Sequence, residues 1–227
     1  MDYSKLEKVL KITFNDKDLL ARALTHRSYL NEHKGIIQSN ERLEFLGDSI
    51  LQFLTSNYLY RNYKEPEGLL TSYRAAVVRT ESLAEESEKL GVGEFLLLSK
   101  GEEAGGGRTR TYILANTFEA LLGAIFIDRG LNACQTLLEE TIFPKILKVV
   151  KRGDYKDNKS FFQEVAQEKV GITPTYQVLE ESGPDHDKTF KVAVYVGDKI
   201  AGTGIGPSKQ KAEEAAAESA LKKWNRK

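Results

Sequence analysis

The sequence predicts two domains of different class, an all-α segment over residues 1–150 and an α-β-β-β-α unit over residues 159–227. Three observations predict this. Apolar residues in the first 150 positions recur at the three-to-four spacing of helices. From Tyr176 and Val178, and again through Phe190, Val192, Val194 and Val196, the period changes to two, as in strands. Between them, residues 151–158 are charged and polar, with no apolar period, which reads as a flexible linker.

The first domain opens with residues 1–38, which read as helices. Leu6, Val9 and Leu10 supply a core stripe, and Asp16 is placed to cap a run from Lys17 to Tyr29. His26, within Thr25-His26-Arg27-Ser28, reads as a hydrogen-bonded structural histidine, because no nucleophile or base adjoins it in sequence. A helix from about Asn40 to Tyr60 follows, then Pro66, suited to a helix start, and one long helix from Leu69 to Leu90. Gly101 to Arg110 reads as a loop, in which Arg108 and Arg110 either touch a nucleic-acid backbone or are simply solvated. Thr111 to Asp128 is a helix with Leu114, Phe118, Leu121 and Ile125 on one face. Asn116 and Glu119 lie on its other face beside Ala120 and Gly123, small residues that let a second helix come close. Leu131 to Val149 reads as one or two further helices ending at Lys148.

The chemistry concentrates in Glu41-Arg42-Leu43-Glu44-Phe45-Leu46-Gly47-Asp48-Ser49. On a helix, Glu41, Glu44 and Asp48 fall within an arc of roughly 60°, while Leu43, Leu46, Ile50 and Leu54 fall on the far side. Carboxylates this close repel unless a cation sits between them, and hard oxygen ligands suit Mg²⁺ or Mn²⁺. The bland alternative is an acidic solvated face. Phe45 lies on the polar side of the wheel, a candidate subunit contact. If the 111–128 helix packs on this one, Glu119 joins the three acids.

In the second domain Ser160-Phe161-Phe162-Gln163 reads as a capping box opening a helix to about Val170. Gly197-Asp198 is a hairpin turn, Ile200 to Gly206 a third strand, and Ser208 the cap of an alanine-rich helix from Lys209 to Trp224. The free N–H groups at that helix start, with Ser208, Lys209 and Lys211, form an anion site fit for phosphates.

Bulk properties narrow the class. The 227 residues are 41% hydrophobic and 29% charged, as in ordinary globular proteins. Net charge is zero, with 19 basic against 21 acidic side chains in residues 1–150 and 14 against 12 in residues 151–227. Any polyanion binding therefore depends on local placement of charge. No unbroken apolar stretch of membrane-spanning length and no signal-peptide pattern is expected, so no membrane partner is expected either. One cysteine, Cys134, excludes an intramolecular disulfide, fits a reducing compartment and reads as a small buried residue.

The nine-residue acidic stretch resembles the signature of the ribonuclease III family, which cleaves double-stranded RNA. Gly183-Pro184-Asp185-His186, Phe190 and Ser208-Lys209-Gln210-Lys211-Ala212-Glu213 resemble a double-stranded-RNA-binding domain. Together the two resemblances cover nearly the whole chain, in the nuclease-then-binding-domain order of simple bacterial enzymes. The resemblance implies a cytoplasmic homodimer that processes rRNA and mRNA by metal-assisted hydrolysis, leaving 5′-phosphate and 3′-hydroxyl ends. It implies Glu41, Asp48 and Glu119 as catalytic residues, and Glu44, Asp48, Asn116 and Glu119 as ligands of Mg²⁺, with Mn²⁺ as the alternative. Glu67 matches a further acidic position, serving a second ion; a helix-start acid favoured by the dipole explains it nearly as well. Phe45 is the implied dimer contact, and Gln163, Glu164, His186, Ser208, Lys209 and Lys211 the implied RNA contacts. The chain departs from the family pattern in two places. Asn116 stands where the family usually has aspartate, so a weak or inactive double-stranded-RNA-binding dimer is the competing expectation. Gln210 stands where the family often has a second lysine.

Overall fold

The computed structural model of the chain describes residues 2–33, 35, 38–152, 158–184 and 188–224. They fall into two compact units, Met1–Tyr155 and Lys156–Lys227. The expected linker is trimmed at both ends, because helices run through Arg152 and restart at Asn158; its residues 153–157 lie outside the described residues.

Unit 1 is helical: α1 Ser4–Leu10, α2 Lys17–Ala23, α3 Glu41–Asn62, α4 Glu67–Val78, α5 Thr80–Lys89, α6 Lys100–Ala104, α7 Thr111–Arg129, α8 Leu131–Glu140 and α9 Phe143–Arg152. Leu6 and Leu10 are buried but Val9 is exposed, so α1 presents a narrower stripe than its spacing suggests. Asp16 caps α2, its carboxylate accepting from the backbone N–H groups of Asp18 and Leu19. That helix stops at Ala23, well short of Tyr29, because the chain leaves it to pair with a distant segment. Leu97 N–H donates to Leu24 O and His26 N–H to Leu97 O, a parallel bridge of Thr25 with Leu97. Local spacing carries no trace of such a partner.

The single long helix expected from Leu69 to Leu90 is two helices, broken at Arg79 (ψ 155°). No glycine or proline marks the break, only the weak helix formers Val77, Val78 and Thr80. The cause is packing: α4 lies on α3 and α9 while α5 lies on α7, and one straight rod does not serve both. Ser87 on α5 donates to Leu114 O of α7 at 2.8 Å. Lys145 on α9 reaches Ser82 O at 2.7 Å and the carboxylates of Glu85 and Glu86, each at 2.9 Å. Helix α9 continues past Lys148 because Val149 and Val150 still pack on the core.

Helix α7 is the core of unit 1. Eleven of its residues are buried, on nearly every side. By length and mean composition it is apolar enough to cross a membrane, although Asn116 and Glu119 interrupt it and no unbroken apolar run results; its enclosure by the other helices is that of a core helix. Cys134 is fully buried with its Sγ donating to Leu122 O, and burial pushes its thiol up to about 12.

Helices α3 and α7 cross with their backbones almost touching. A Cβ placed on Gly47 would stand 1.7 Å from Glu119 O, and one on Gly123 would stand 2.2 Å from Leu43 O. Neither distance is physical, so both glycines are required by proximity rather than by their dihedral angles.

Unit 2 carries α10 Asn158–Val170, β1 Thr175–Ser182, β2 Thr189–Val196, β3 Lys199–Gly206 and α11 Lys209–Trp224. The strands form an antiparallel sheet in the order β1-β2-β3, with a bulge between Val178 and Glu180. Ser160 lies inside α10, which opens two residues earlier at Asn158, so the expected capping box is not its start. Gly197 (φ 60°) makes the two-residue turn between β2 and β3. Gly202, Gly204 and Gly206 present their Cα faces to α11, where a Cβ would meet Ala216, Ala220 or Ala212 backbone atoms at 2.2–2.6 Å. The core beneath is alanine-rich, with Phe162 and Trp224 edge to face at 5.4 Å.

Gly47→Ala is expected to lower the stability of the chain by about 1–3 kcal/mol or more, through forced separation of α3 and α7. Ser49→Ala, exposed on the same helix, should change little. Thermal unfolding followed by circular dichroism checks both.

Candidate active site

The α3–α7 crossing decides which side chains meet. Gly47 packs on the Glu119 carbonyl, and it is flanked on α3 by Glu44, one turn earlier, and by Asp48. Glu119 itself lies one turn before Gly123. Four of the expected site residues are thereby brought together: Glu44, Asp48, Asn116 and Glu119. Glu44, Asn116 and Glu119 are half-buried, whereas Glu41 and Asp48 are exposed.

The electrostatics record this crowding. Burial, then the charges of Asp48 and Glu44, push the Glu119 carboxyl up to about 7. Burial, then Glu41, raise Glu44 above the usual carboxylate range; a hydrogen bond from Asn116 pulls the other way, and Asp48 adds a smaller upward push. Desolvation and like charge thus act together, leaving Glu119 a group that changes charge near neutrality.

Glu41 is held at the rim, accepting from Ser39 Oγ at 2.9 Å and pairing with the Arg27 guanidinium at 3.4 Å. Asp48 accepts from Gln52 Nε2 at 3.3 Å. Glu67 stands apart: exposed in the first turn of α4, it accepts from Thr71 Oγ1 at 2.9 Å, and it is not among the charges acting on Glu44 or Glu119. Phe45 is 79% exposed on α3, and Phe53 (57%) and Tyr60 (80%) continue its face.

A cleft of about 390 Å³ adjoins the acids, its wall formed by Glu41, Glu44 and Asn116 together with His26, Arg27 and Tyr112. Local sequence reading missed Arg27 and Tyr112 and took His26 as structural. His26 Nδ1 does engage Ser28 Oγ at 2.9 Å, and burial holds its imidazole below the usual histidine range. What brings it to the cleft is the Thr25–Leu97 bridge, a long-range contact. Asn40, also in this wall, is buried and ties the start of α3 to the end of α2 through Ala23 O at 3.3 Å. Arg108 and Arg110 do not form a solvated loop. Arg108 donates to the carbonyls of Gly93, Glu94 and Leu96, and Arg110 to Glu102 and Gly105 O.

For a divalent cation, the donor set fits in kind: three carboxylates and an amide oxygen, all hard ligands, in mutual electrostatic contact. Among the described residues no group of three or more His, Cys, Asp and Glu side chains is already drawn up to hold an ion. Asp48 and Glu41 instead have side-chain partners of their own.

In unit 2, Ser208 Oγ accepts from Lys211 N–H at 3.2 Å, capping α11 as expected. Lys209 lies exposed with its Nζ 5.7 Å from the Phe190 ring centroid. Lys211 pairs with Glu214 at 2.8 Å, so its charge is partly engaged. Gln163 and Glu164 are exposed on α10, walling an open hollow with Gln167 and Glu168. His186 lies outside the described residues.

The raised Glu119 carboxyl predicts a pH effect. The folded state binds this proton more tightly than the unfolded chain, where the ordinary value is 4.5. Glu119's contribution to stability is therefore present at low pH and lost as pH rises from about 4.5 through about 7. In EDTA, the melting temperature should fall more steeply between pH 5 and 8 for the native chain than for Glu119→Gln. Parallel profiles would show that Glu119 titrates normally.

Comparison with known proteins agrees with this architecture. Residues 16–146 match the Ribonuclease-III-like family and residues 158–223 the Double-stranded RNA binding motif. The chain is 45% identical to Ribonuclease 3 of Enterococcus faecalis, covering 96% of each chain. It is 47% identical to Ribonuclease 3 of Caldanaerobacter subterraneus, again covering 96% of each. Among solved structures, the nuclease domain of Campylobacter jejuni ribonuclease III is 39% identical with a TM-score of 0.59, over 63% of this chain and 99% of that one. With acids gathered at a glycine crossing in a helical unit and a capped α-β-β-β-α unit after it, the chain belongs to the ribonuclease III family of endoribonucleases.

Proposed function

We propose that the chain cuts double-stranded RNA by divalent-metal-assisted hydrolysis, leaving 5′-phosphate and 3′-hydroxyl ends, with residues 1–150 cutting and residues 159–227 gripping the duplex. The observation that carries this reading is the meeting of Glu44, Asp48, Asn116 and Glu119 at the α3–α7 crossing. Glu44, Asp48, Asn116 and Glu119 would hold the ion, with Glu41 reaching in from the rim, and Mg²⁺ (or Mn²⁺) is the expected metal. Bound there, the metal supplies an activated water and a counter-charge for the leaving oxygen. The chain's own part is to hold these oxygens on two helices whose separation is set by backbone contact. Glu119 gives up its proton as the site is loaded, since its raised pKa comes from desolvation and from Asp48 and Glu44. Glu67 remains a candidate for a second ion, though its present partner is Thr71.

The exposed face of α3 supports a homodimer. Phe45, Phe53 and Tyr60 are too large and too exposed to be incidental together. Double-stranded RNA would lie on unit 2 with α10 residues Gln163 and Glu164 in one minor groove and Ser208, Lys209 and Lys211 on phosphates across the major groove. His186 completes that set by resemblance. The buried, unreactive Cys134 fits a reducing cytoplasm, where rRNA and mRNA processing is the proposed role.

A second reading, an inert RNA-binding dimer, is favoured by one observation: position 116 brings an amide, not a charge, to the acids. Three carboxylates close enough to shift one another's charge at the site weigh against it.

Purified chain with Mg²⁺ should cut long double-stranded RNA into short duplexes on a gel, and Glu119→Ala should lose the activity by about a hundredfold or more. Asn116→Asp should move the Mg²⁺ dependence to lower concentration; superimposed curves would remove any role for the missing charge. Intact RNA with a retained gel shift would establish the inert binder instead. Phe45→Glu should shift sedimentation of the chain from dimer to monomer, and an unchanged dimer would place the interface elsewhere.

A further inference from the structure

The cleft beside the acids has a chemistry that metal binding does not use. Its wall also holds a cation, Arg27, and an aromatic ring, Tyr112. Arg27 is 73% exposed and, among the described residues, its ion pair is with Glu41 at 3.4 Å, a carboxylate that is itself 54% exposed. Such a pair between exposed groups is weak and exchanges readily. Tyr112 is 46% exposed but is not loose: its hydroxyl accepts from Arg110 Nη1 at 3.4 Å, and the Arg110 guanidinium lies 5.9 Å from its ring centroid. Arg110 in turn is fixed by Glu102 at 2.6 Å and Gly105 O at 2.7 Å. The ring is therefore a pre-positioned wall. Glu41, Glu44 and Asn116 line the same cleft, with Asn116 one turn after Tyr112 on α7.

A polyanion approaching Glu41, Glu44, Asp48 and Glu119 meets like charge, and the phosphates beyond the bond being cut lack a metal to neutralise them. A guanidinium matches a phosphate's oxygens with two parallel N–H bonds, a better partner than a solvated carboxylate at 3.4 Å. A cleft of about 390 Å³ is within the size range of small-ligand sites.

We propose that this cleft is a nucleotide subsite, in which Arg27 exchanges Glu41 for the phosphate neighbouring the scissile one and Tyr112 packs against the sugar or base of that nucleotide. This rests on the reading of the chain as an RNA-cutting enzyme. The exchange has a second consequence: as Arg27 turns to the phosphate, Glu41 is released toward the metal ligands. Substrate entry and completion of the acidic set are thereby linked through one side chain.

The test is Arg27→Ala, Arg27→Lys and Tyr112→Ala in the full-length chain. Arg27 is exposed, so folding is not at stake, and circular dichroism confirms it. Cleavage is measured in Mg²⁺ from 50 to 200 mM salt, and equilibrium binding of the intact duplex is measured in EDTA over the same range. For Arg27→Ala we expect KM to rise about tenfold, the size of one exposed charge-assisted phosphate contact, and the salt slope of binding to fall by about one per subunit. Arg27→Lys should restore the slope but only part of KM, and Tyr112→Ala should raise KM with the slope unchanged. A fall in kcat for Arg27→Ala with KM and slope untouched would mean that Arg27 only positions Glu41, which overturns the subsite. Native KM and slope in Arg27→Ala would overturn it as well. Because the slope is read without turnover, a chain that fails to cut would defeat the cleavage reading while still deciding the role of Arg27.

Discussion

The close approach of two helix backbones at Gly47 and Gly123 is the constraint on which unit 1 depends. Helices packed through ordinary side chains stand 8–10 Å apart. Here a carbonyl of each helix occupies the place where the partner's Cβ would be. The consequence is chemical as well as mechanical. Acids on facing helices are brought near enough to perturb one another, which a side-chain layer between the helices would prevent. The raised Glu119 and Glu44 carboxyls are the electrostatic mark of that approach.

The same device recurs in unit 2 with a different result. Gly202, Gly204 and Gly206 lay β3 directly against the alanines of α11. This fixes α11 on the sheet, and so fixes the capped helix start at Ser208 that presents Lys209 and Lys211. In both units, removing side chains from a contact face positions the polar groups beside it. Burial then supplies the stability: α7 in one unit and the Phe162–Trp224 cluster in the other are enclosed by apolar neighbours.

Around the acids, positive charge is committed in a graded way. Arg108 and Arg110 are tied to backbone carbonyls and to Glu103 and Glu102, where they build the 100–110 segment. Arg27 has an exposed pair with Glu41 at the rim. Net charge near zero is thus compatible with a polyanion partner, because what matters is which cations remain available near the site, not how many the chain carries.

Elements whose causes are local were legible in the sequence. Asp16 and Ser208 cap their helices and Gly197-Asp198 turns its hairpin, since each depends on residues within a few positions; the expected alternation of β2 is interrupted, with Val192, Ala193 and Val194 all buried. The acidic arc on α3 followed from helical geometry, and the pairing of α3 with α7 from small residues at 120 and 123. What the sequence did not reveal has non-local causes. Helix α2 ends at Ala23 because Leu97 captures the chain beyond it; α4 and α5 separate because their partners differ; Arg108 is ordered because the carbonyls of Gly93, Glu94 and Leu96 receive it. The sequence by itself determined which residues could be ligands, caps and core. Only the tertiary structure decided that Glu41 would be held at the rim by Ser39 and Arg27, that Glu67 would stand with Thr71 apart from the acids, and that Arg27 and Tyr112 would line the cleft. Such meetings depend on distances between elements far apart in the chain, which no local period encodes.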